Sequence, residues 1–385
     1  MAGRRPSARA GLATPLEDDD ILGQILLRLP PRPSSLPRAA AVCKRWRRVV
    51  SSPHFRRSFC GHHRKPPLLG FLTQEKCGDT GFTPALDPPD RIPAERFSLP
   101  FGGGTLFLGC RHGRALSFDL FRFHFLVWDP VTGDHRRVSV PPAVHEVEIC
   151  CFNGAVVCAA GEQDHVHGCF HLCPFKVAFI SSGGERIVAC VYSSHTNAWS
   201  DLISIPTPWE VKSISTACPN ILVGNSICWF ATGEASGILE FNLERQSLAI
   251  VDPPQHAFYH GDHHQLMVPP TDGADLGFLV LSGYTAKLWK RKVNANGDGV
   301  WVLRNTMELT SLLSLRRWGH PPKLLGLVED HNAMLLSVNN GVVFMVHLDS
   351  EQFEKLPKKI TSYFWSPFTS FYTAGGLNIF GEPWT

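Results

Sequence analysis

The residues after about position 66 repeat one pattern, in which an apolar run is followed by a polar turn and a second apolar run. Val, Ile, Phe and Trp favour strands, whereas the Gly, Asn, Asp and Ser residues between the runs favour turns. Five units have this form: 113–138, 175–205, 221–251, 278–303 and 324–356. The pattern predicts a large all-β domain over residues 66–385.

The spacing of the units indicates which all-β architecture they form. The strand before each turn is marked by one residue, and the markers lie 64, 49, 48 and 58 residues apart: Trp128, Tyr192, Phe241, Trp289 and His347. Such intervals are typical of β-propeller blades with about four strands each. The sequence therefore predicts a β-propeller, with a β-sandwich as the alternative. Residues 66–105 and a strand near 363–372 supply a sixth unit that closes the ring.

The first 60 residues have a different texture and predict two amphipathic helices. Acidic residues 17–20 precede apolar positions at helical spacing, namely Leu22, Ile25, Leu26 and Leu29, and Pro30 ends this helix. A second helix, capped by Ser34 or Ser35 and ended by Pro53, carries Leu36, Ala39, Cys43, Trp46 and Val50. Two short helices cannot by themselves bury two apolar stripes. We therefore expect these stripes to pack against a partner or a neighbouring domain.

The run Val42-Cys43-Lys44-Arg45-Trp46-Arg47, followed by Ser51, Pro53 and Phe55, resembles the F-box. The usual Leu-Pro start of that module appears here reversed and shifted, as Pro15-Leu16. The resemblance implies binding to a Skp-type adaptor, and through it to the cullin and RING subunits of a ubiquitin ligase. It implicates these adaptor-binding residues: Leu16, Ile21, Leu22, Ile25, Leu29, Pro30, Leu36, Val42, Cys43 and Trp46.

The order of the two regions resembles plant-type F-box proteins with a kelch-like or F-box-associated β-domain. The predicted organisation is a disordered basic tail over 1–13, an F-box module over 14–60 and the β-domain over 66–385. This resemblance implies a non-catalytic substrate receptor that presents an unidentified target protein for ubiquitination. The alternative is a glycan- or metabolite-binding propeller, or a propeller enzyme, that retains an F-box remnant.

Charge is divided unevenly along the chain. Residues 1–65 carry a net charge of +10, and the remainder carries −7. The basic run 44–48 could contact nucleic acid. However, these side chains lie on the polar side of a helix, so a solvated face is the simpler interpretation and nucleic acid is not among the expected partners.

Other motifs give little indication of a catalytic, metal-binding or cofactor-binding site in this chain. The His- and Cys-rich run 164–173 places its ligands too far apart on a strand for one tetrahedral zinc, and the cluster at 260–264 is read as surface histidines, so neither a metal nor a cofactor is expected. Gly102-Gly103-Gly104 lacks the Gly-Lys that a phosphate-binding loop requires, and no Gly-x-Ser-x-Gly motif occurs. The run 121–125 is predicted to be a strand with aromatic side chains on both faces.

Targeting features are also few. The twelve cysteines form no regular framework, which favours reduced thiols. There is no apolar stretch of about 18 residues and no apolar core of a signal peptide near the N-terminus. We therefore expect no membrane partner and a location in the cytoplasm or the nucleus.

Overall fold

The fold is described from a computed structural model, in which the chain forms two compact units. One unit comprises residues 1–64 together with 371–385, and the other comprises residues 65–370. The structure describes residues 18–74, 80–97, 104–146, 149–160, 173–183, 185–207, 209–215, 219–254, 263–268, 276–293, 299–314, 320–338, 341–359 and 364–372.

In the first unit, here called the helical module, the described residues form four helices: α1 Asp19–Leu27, α2 Ser35–Ala40, α3 Lys44–Ser51 and α4 Pro53–His63. The carboxylate of Asp18 caps α1, since its Oδ1 accepts from the backbone N–H groups of Asp20 at 2.8 Å and Ile21 at 3.2 Å. Ser52 caps α4 in the same way, with its hydroxyl accepting from the N–H of Phe55 at 3.1 Å. The predicted acidic start of the first helix is thus confirmed.

The prediction of one continuous second helix is wrong, because residues 41–43 interrupt it. Cys43 is extended, with φ −164°, and acts as the N-cap of α3. The 3-4-3-4 spacing of apolar residues continues across this turn without a Gly or Pro, so the sequence pattern gives no sign of the break. Pro53 ends α3 as expected, but it also occupies the first turn of α4, a helix that the sequence analysis missed.

The core of the helical module gathers apolar side chains from all four helices. Phe371, in the C-terminal piece of the same unit, packs against this core together with Leu29 and Trp46. The buried members are Leu22, Leu26, Leu36, Ala39, Val50, Phe55 and Phe59. The module therefore has an interior of its own, although a small one.

The described residues of the second unit form six antiparallel sheets, and the first two described strands are β1 Leu68–Gln74 and β2 Thr80–Pro84. Blade 2 contains β3 Thr105–Arg111, β4 Arg114–Asp119, β5 His124–Trp128 and β6 His135–Ser139. Blade 3 contains β7 Cys151–Cys158, β8 Phe175–Gly183, β9 Arg186–Ser193, β10 Ala198–Trp199 and β11 Ile203–Pro206. Blade 4 contains β12 Val211–Ile214, β13 Ile221–Val223, β14 Ser226–Gly233, β15 Ser236–Asn242 and β16 Ser247–Val251.

Two more four-stranded sheets and a final strand complete this unit. Blade 5 contains β17 His263–Val268, β18 Gly277–Ser282, β19 Thr285–Val293 and β20 Gly299–Glu308, which leads into the short helix α5 Leu309–Leu312. Blade 6 contains β21 Lys323–Val328, β22 Ala333–Val338, β23 Val342–His347 and β24 Phe353–Lys359. The last strand, β25 Phe364–Thr369, pairs with β1 and so joins β1 and β2 in blade 1.

The six sheets form a closed β-propeller, as the sequence predicts. The first strands of successive sheets contact one another around the centre, including β3 with β7, β7 with β12 and β17 with β21. The ring closes where β25 lies between β1 in its own sheet and β3 of the next blade. All five sequence markers lie on the third main strand of their blades: Trp128, Tyr192, Phe241, Trp289 and His347.

Apolar cores fill the spaces between neighbouring blades. One cluster joins blades 2 and 3 around Phe125 and Phe179, and the next joins blades 3 and 4 around Trp229. A third extends from blade 4 through blade 5 to blade 6, and another joins blade 6 to blade 1 around Phe71. Because each face of an inner sheet is covered by a neighbour, both faces of the strands carry buried apolar residues.

Two other expectations need correction. The run 121–125 is not one strand: residues 121–123 form the turn between β4 and β5, with Phe121 and Phe123 exposed, and only Phe125 enters the core. Asp119 Oδ1 accepts from the N–H groups of Phe121 and Arg122, which stabilises a turn instead of an extended chain. The expectation of reduced thiols also fails at Cys60, which is disulfide-bonded, whereas eight other described cysteines are thiols outside any disulfide.

Some predicted features fall on residues that the structure does not describe. The Asn296-Gly297 turn and the Asn residues of the 339–341 turn lie outside the described residues, although the strands on either side pair as antiparallel hairpins. Among the helices of the described ranges, none has the length and apolar character needed to cross a membrane.

Candidate partner-docking surfaces

A group of apolar residues lies on the surface of the helical module. Ile21 and Ile25 are 43% and 40% exposed, and they lie one turn apart on α1, so they share a face. Val42, in the turn between α2 and α3, is 62% exposed, and Pro30 and Cys43 are exposed as well. We call these five residues the exposed apolar set. Exposed apolar side chains that share a helix face, such as Ile21 and Ile25, are typical of a site that binds another protein.

The other predicted adaptor-binding residues have different environments. Leu22 and Leu36 are buried inside the module, and Leu29 and Trp46 are half-buried against its core. Leu16 lies outside the described residues. The structure therefore brings Leu22 and Leu36 together as core, and it leaves the exposed apolar set on the surface.

Ion pairs fasten the start of α1 to α3. The carboxylate of Asp19 accepts from Arg45 Nε at 2.7 Å and from an Nη of Arg48 at 2.9 Å. Hydrogen bonding by Arg45 is the largest influence on this carboxyl, and with Arg48 it lowers the pKa of Asp19 below its ordinary value despite some desolvation. These two arginines are thus not simply a solvated face, as the sequence suggested. They hold α1, with Ile21 and Ile25, beside α3.

A second polar arrangement lies where the inner strands of the propeller end. Arg111, at the end of β3, makes a bidentate ion pair with Glu329, with both N–O distances at 2.7 Å. The same guanidinium donates to the side-chain oxygen of Asn220 at 2.8 Å and to its backbone oxygen at 2.7 Å. These residues belong to blades 2, 6 and 4, so the contacts connect alternate blades around the centre.

Burial determines the electrostatics of this arrangement. Desolvation by itself lowers the pKa of Arg111, but the charge and hydrogen bonds of Glu329 outweigh it and raise that pKa above its ordinary value. Burial also raises the pKa of the neighbouring Cys110 thiol to about 12, so it remains protonated at neutral pH. The arrangement is a structural clamp, and Cys110 is not an activated nucleophile.

The described residues provide no obvious metal site. The His- and Cys-rich run is described only at Cys173, and in the 260–264 cluster only His263 and His264 are described, as part of β17. Within the described ranges, no group of three or more His, Cys, Asp and Glu residues is arranged to hold a metal ion. The expectation that no metal is bound stays a prediction.

Comparison with known families identifies both regions. Residues 19–62 match the F-box-like family, and residues 106–363 match the family described as F-box protein AT5G49610-like, beta-propeller. The second match covers more than half of the chain. The chain belongs to the F-box proteins with a β-propeller. The resemblance drawn from the N-terminal motif is confirmed, and the β-sandwich alternative is wrong.

Two plant relatives of this F-box protein agree with that assignment. It is 21% identical over 379 residues to F-box protein At5g03970 of Arabidopsis thaliana, with 88% of this chain and 82% of the relative covered. It is 24% identical over 296 residues to F-box/kelch-repeat protein At3g61590 of the same plant, covering 74% and 69% of the two chains. Among solved structures, a nidogen/laminin complex chain aligns with a TM-score of 0.40 at 9% identity, over 78% of this chain and 98% of that one.

No local sequence pattern predicts the two polar arrangements of this F-box protein. The sequence places Asp19 only in the acidic start of α1, because its partners on α3 depend on how the helices pack. Arg111 is a charged residue near the end of an otherwise apolar strand, which was the available signal. Its partner Glu329 is 218 residues away in the chain, so no local pattern connects them.

Proposed function

We propose that this F-box protein is the substrate receptor of a Skp-cullin-F-box ubiquitin ligase. The helical module docks on a Skp-type adaptor, and the propeller holds a target protein. The protein then contributes proximity instead of catalytic residues, because a tethered target has a high effective concentration near the ubiquitin-charged enzyme. This role belongs to the cytoplasm or the nucleus.

The observation that carries the proposal is the exposed apolar set on a module whose core is already complete without it. The exposed side chains of Ile21, Ile25 and Val42 do not stabilise the folded module. Burying such side chains against a partner contributes roughly 1.5–3 kcal/mol each. Arg48 of α3 lies beside the start of α1, since its guanidinium pairs with Asp19 at 2.9 Å. We therefore expect the adaptor to present an apolar surface bordered by acidic residues.

Capture by a purified Skp-type adaptor tests the docking step. Ile25→Asp should weaken binding at least about tenfold, because the contact would bury a carboxylate without a partner. The matched control is Val302→Asp, since Val302 on β20 is 42% exposed and Ile25 is 40% exposed. The control should bind like the wild type. Absence of wild-type binding, or equal loss in both variants, would contradict the proposed docking surface.

Reconstitution with cullin, RING subunit and charged ubiquitin-conjugating enzyme tests the ligase step. The full chain should promote ubiquitin transfer to a bound target or to itself, and Ile25→Asp should abolish this without changing the circular dichroism spectrum. If transfer proceeds equally with that variant, the protein does not act through the proposed adaptor contact.

A further inference from the structure

An open cleft of about 470 Å³ lies between blades 2 and 3. Blade 2 contributes residues of β4, β5, β6 and the 129–134 turn, and blade 3 contributes residues 173–175 and 194–195. Val127 and Phe175 are buried apolar side chains in its wall, whereas His135 and His195 are exposed at its rim. The opening therefore leads from solvent to a partly apolar interior.

Two arginines in this cleft are held around one aromatic ring. The guanidinium carbon of Arg114 lies 5.4 Å from the centroid of the Phe175 ring, and that of Arg136 lies 5.9 Å from the same centroid. Arg136 also lies 5.8 Å from the Tyr192 ring. Stacking on aromatic rings fixes both guanidinium groups and places two positive charges close together.

The hydrogen bonds of Arg136 position its side chain without neutralising it. It donates to the Ser194 carbonyl oxygen at 3.4 Å and to Asn197 Oδ1 at 2.8 Å, and the hydroxyl of Tyr192 donates to the same Asn197 oxygen at 2.7 Å. Both acceptors of Arg136 are uncharged, and a guanidinium has more N–H donors than these two contacts use. Arg136 therefore keeps both its charge and donors for a ligand.

The two carboxylates of the cleft do not remove this preference for an anion. Asp129 is buried, and its Oδ1 accepts from the N–H groups of Val131 at 2.9 Å and Thr132 at 3.2 Å, so this oxygen stabilises the 129–134 turn. Asp134 is exposed at the rim, where water screens its charge. The net charge of −7 outside residues 1–65 disfavours a long polyanion such as nucleic acid.

We propose that this cleft binds an acidic side chain of a protein segment, either a carboxylate or a phosphorylated residue. The oxyanion would meet Arg136, with Arg114 behind it, and neighbouring apolar atoms would contact Phe175 and Val127. The idea that the segment belongs to a ubiquitination target rests on the proposed function. Binding of an acidic peptide to the cleft does not depend on the ligase role, and it is measured independently.

Calorimetry on the full chain tests the proposal with N-acetylated, C-amidated peptides of the form Gly-Gly-X-Gly-Gly, which carry no terminal charges. The versions with phosphoserine or Glu at X should bind with Kd on the order of 1 mM, and those with Ser or Lys should not bind. Arg136→Gln should weaken binding about tenfold, because it removes a charge-assisted hydrogen bond. Arg137→Gln is the matched control and should remain within about twofold, since neighbouring residues on β6 point to opposite sides.

Three outcomes would overturn the proposal: no binding of either acidic peptide, equal binding by Arg136→Gln, or tighter binding of the Lys peptide. Inorganic phosphate and acetate are measured in parallel. If either ion binds as tightly as its peptide, the cleft is a site for free anions and the assignment to a protein segment is wrong. Weaker binding of the free ions supports the assignment, because the peptide adds contacts along the cleft.

Adaptor capture in the same variants separates this proposal from the proposed function. Arg136→Gln should retain adaptor binding and weaken peptide binding about tenfold, whereas Ile25→Asp should weaken adaptor binding and retain peptide binding. Failure of adaptor binding by the wild type, with intact peptide binding, would contradict only the ligase role. Loss of peptide specificity, with intact adaptor binding, would contradict only the cleft.

Discussion

The helical module and the propeller differ in where their amphipathic elements place apolar side chains. In the propeller, the apolar side chains of one blade pack against the next blade, and β25 closes the ring so that the packing continues around it. In the helical module, part of the apolar stripe forms a small core and part, including Ile25 and Val42, remains on the surface. A closed repeat can satisfy its apolar faces internally, whereas a short helical module leaves some for a partner.

The polar contacts of the two regions also differ in burial, with the propeller's contact in the interior and those of the helical module near the surface. The propeller clamp between Arg111 and Glu329 is largely buried and joins strands that are distant in sequence. The Asp19 pairs with Arg45 and Arg48 lie near the surface, where water and salt screen them. We therefore expect substitutions in the propeller interior to have larger effects than substitutions at the edges of the helical module.

The largest expected effect comes from the strand that closes the ring. Phe368 on β25 is fully buried, and its ring centroid lies 5.4 Å from that of Phe97. Phe368→Ala should lower the free energy of unfolding by about 3–5 kcal/mol, because it leaves a cavity at the closure. Phe353→Ala is the control, since Phe353 is 47% exposed, and it should cost less than about 1 kcal/mol. Urea unfolding that gives equal costs would show that β25 is not part of a tightly packed ring.

The next effect concerns the clamp of the propeller. Arg111→Met should destabilise by about 3 kcal/mol, because Glu329 would lose its bidentate partner at a largely buried site. The double variant Arg111→Met with Glu329→Leu should recover more than half of this loss, since no uncompensated carboxylate remains. A double-mutant cycle from denaturant unfolding measures both. If Arg111→Met is nearly neutral, the clamp does not contribute to stability as inferred.

A smaller effect is expected at the caps of the helical module. Ser52→Ala removes the acceptor for the Phe55 N–H and should cost about 1 kcal/mol. Ser58→Ala, in the middle of the same helix α4, should be neutral or slightly stabilising because Ala is the better helix former. Thermal unfolding followed by circular dichroism distinguishes them. Equal losses from both substitutions would contradict a specific capping role for Ser52.

The sequence predicted those parts of the structure that depend on local periodicity. The propeller markers and the closing strand were found because each blade repeats the same alternation of strand and turn. The break in the second helix at Val42 and Cys43 was not predicted, because the apolar spacing of a helix can continue across a turn. The Phe121 turn was mistaken for a strand because aromatic residues favour strands wherever they occur. Here the Asp119 side chain decides in favour of the turn.

The candidate surfaces could be predicted only in part, for a related reason. The F-box motif indicated which residues to examine, but sequence spacing does not say whether an apolar residue such as Leu22 faces the core or the partner. The cleft at Arg136 joins two blades, and its polar partner Asn197 is 61 residues away along the chain. Sites built between repeats depend on three-dimensional packing, so local patterns do not reveal them.

The smallest expected effect is the protonation of Asp19, which tests how firmly α1 is tied to α3. Because the folded pKa of Asp19 is lowered, the pairs stabilise the module fully above the carboxyl's ordinary pKa of 3.8, and this contribution is lost as the pH falls through the lowered value. In NMR titration, Arg45→Gln should raise the pKa of Asp19 toward 3.8, since it removes the largest cause of the shift.

The control for this titration is Arg47→Gln, on the same helix α3, which should leave the pKa of Asp19 unchanged. The pairs orient α1, which carries Ile21 and Ile25, so Arg45→Gln should also weaken adaptor binding slightly, by less than Ile25→Asp. An Asp19 pKa that does not respond to Arg45 would mean that these surface pairs are not maintained in solution. The exposed apolar set would then be positioned by the module's core alone.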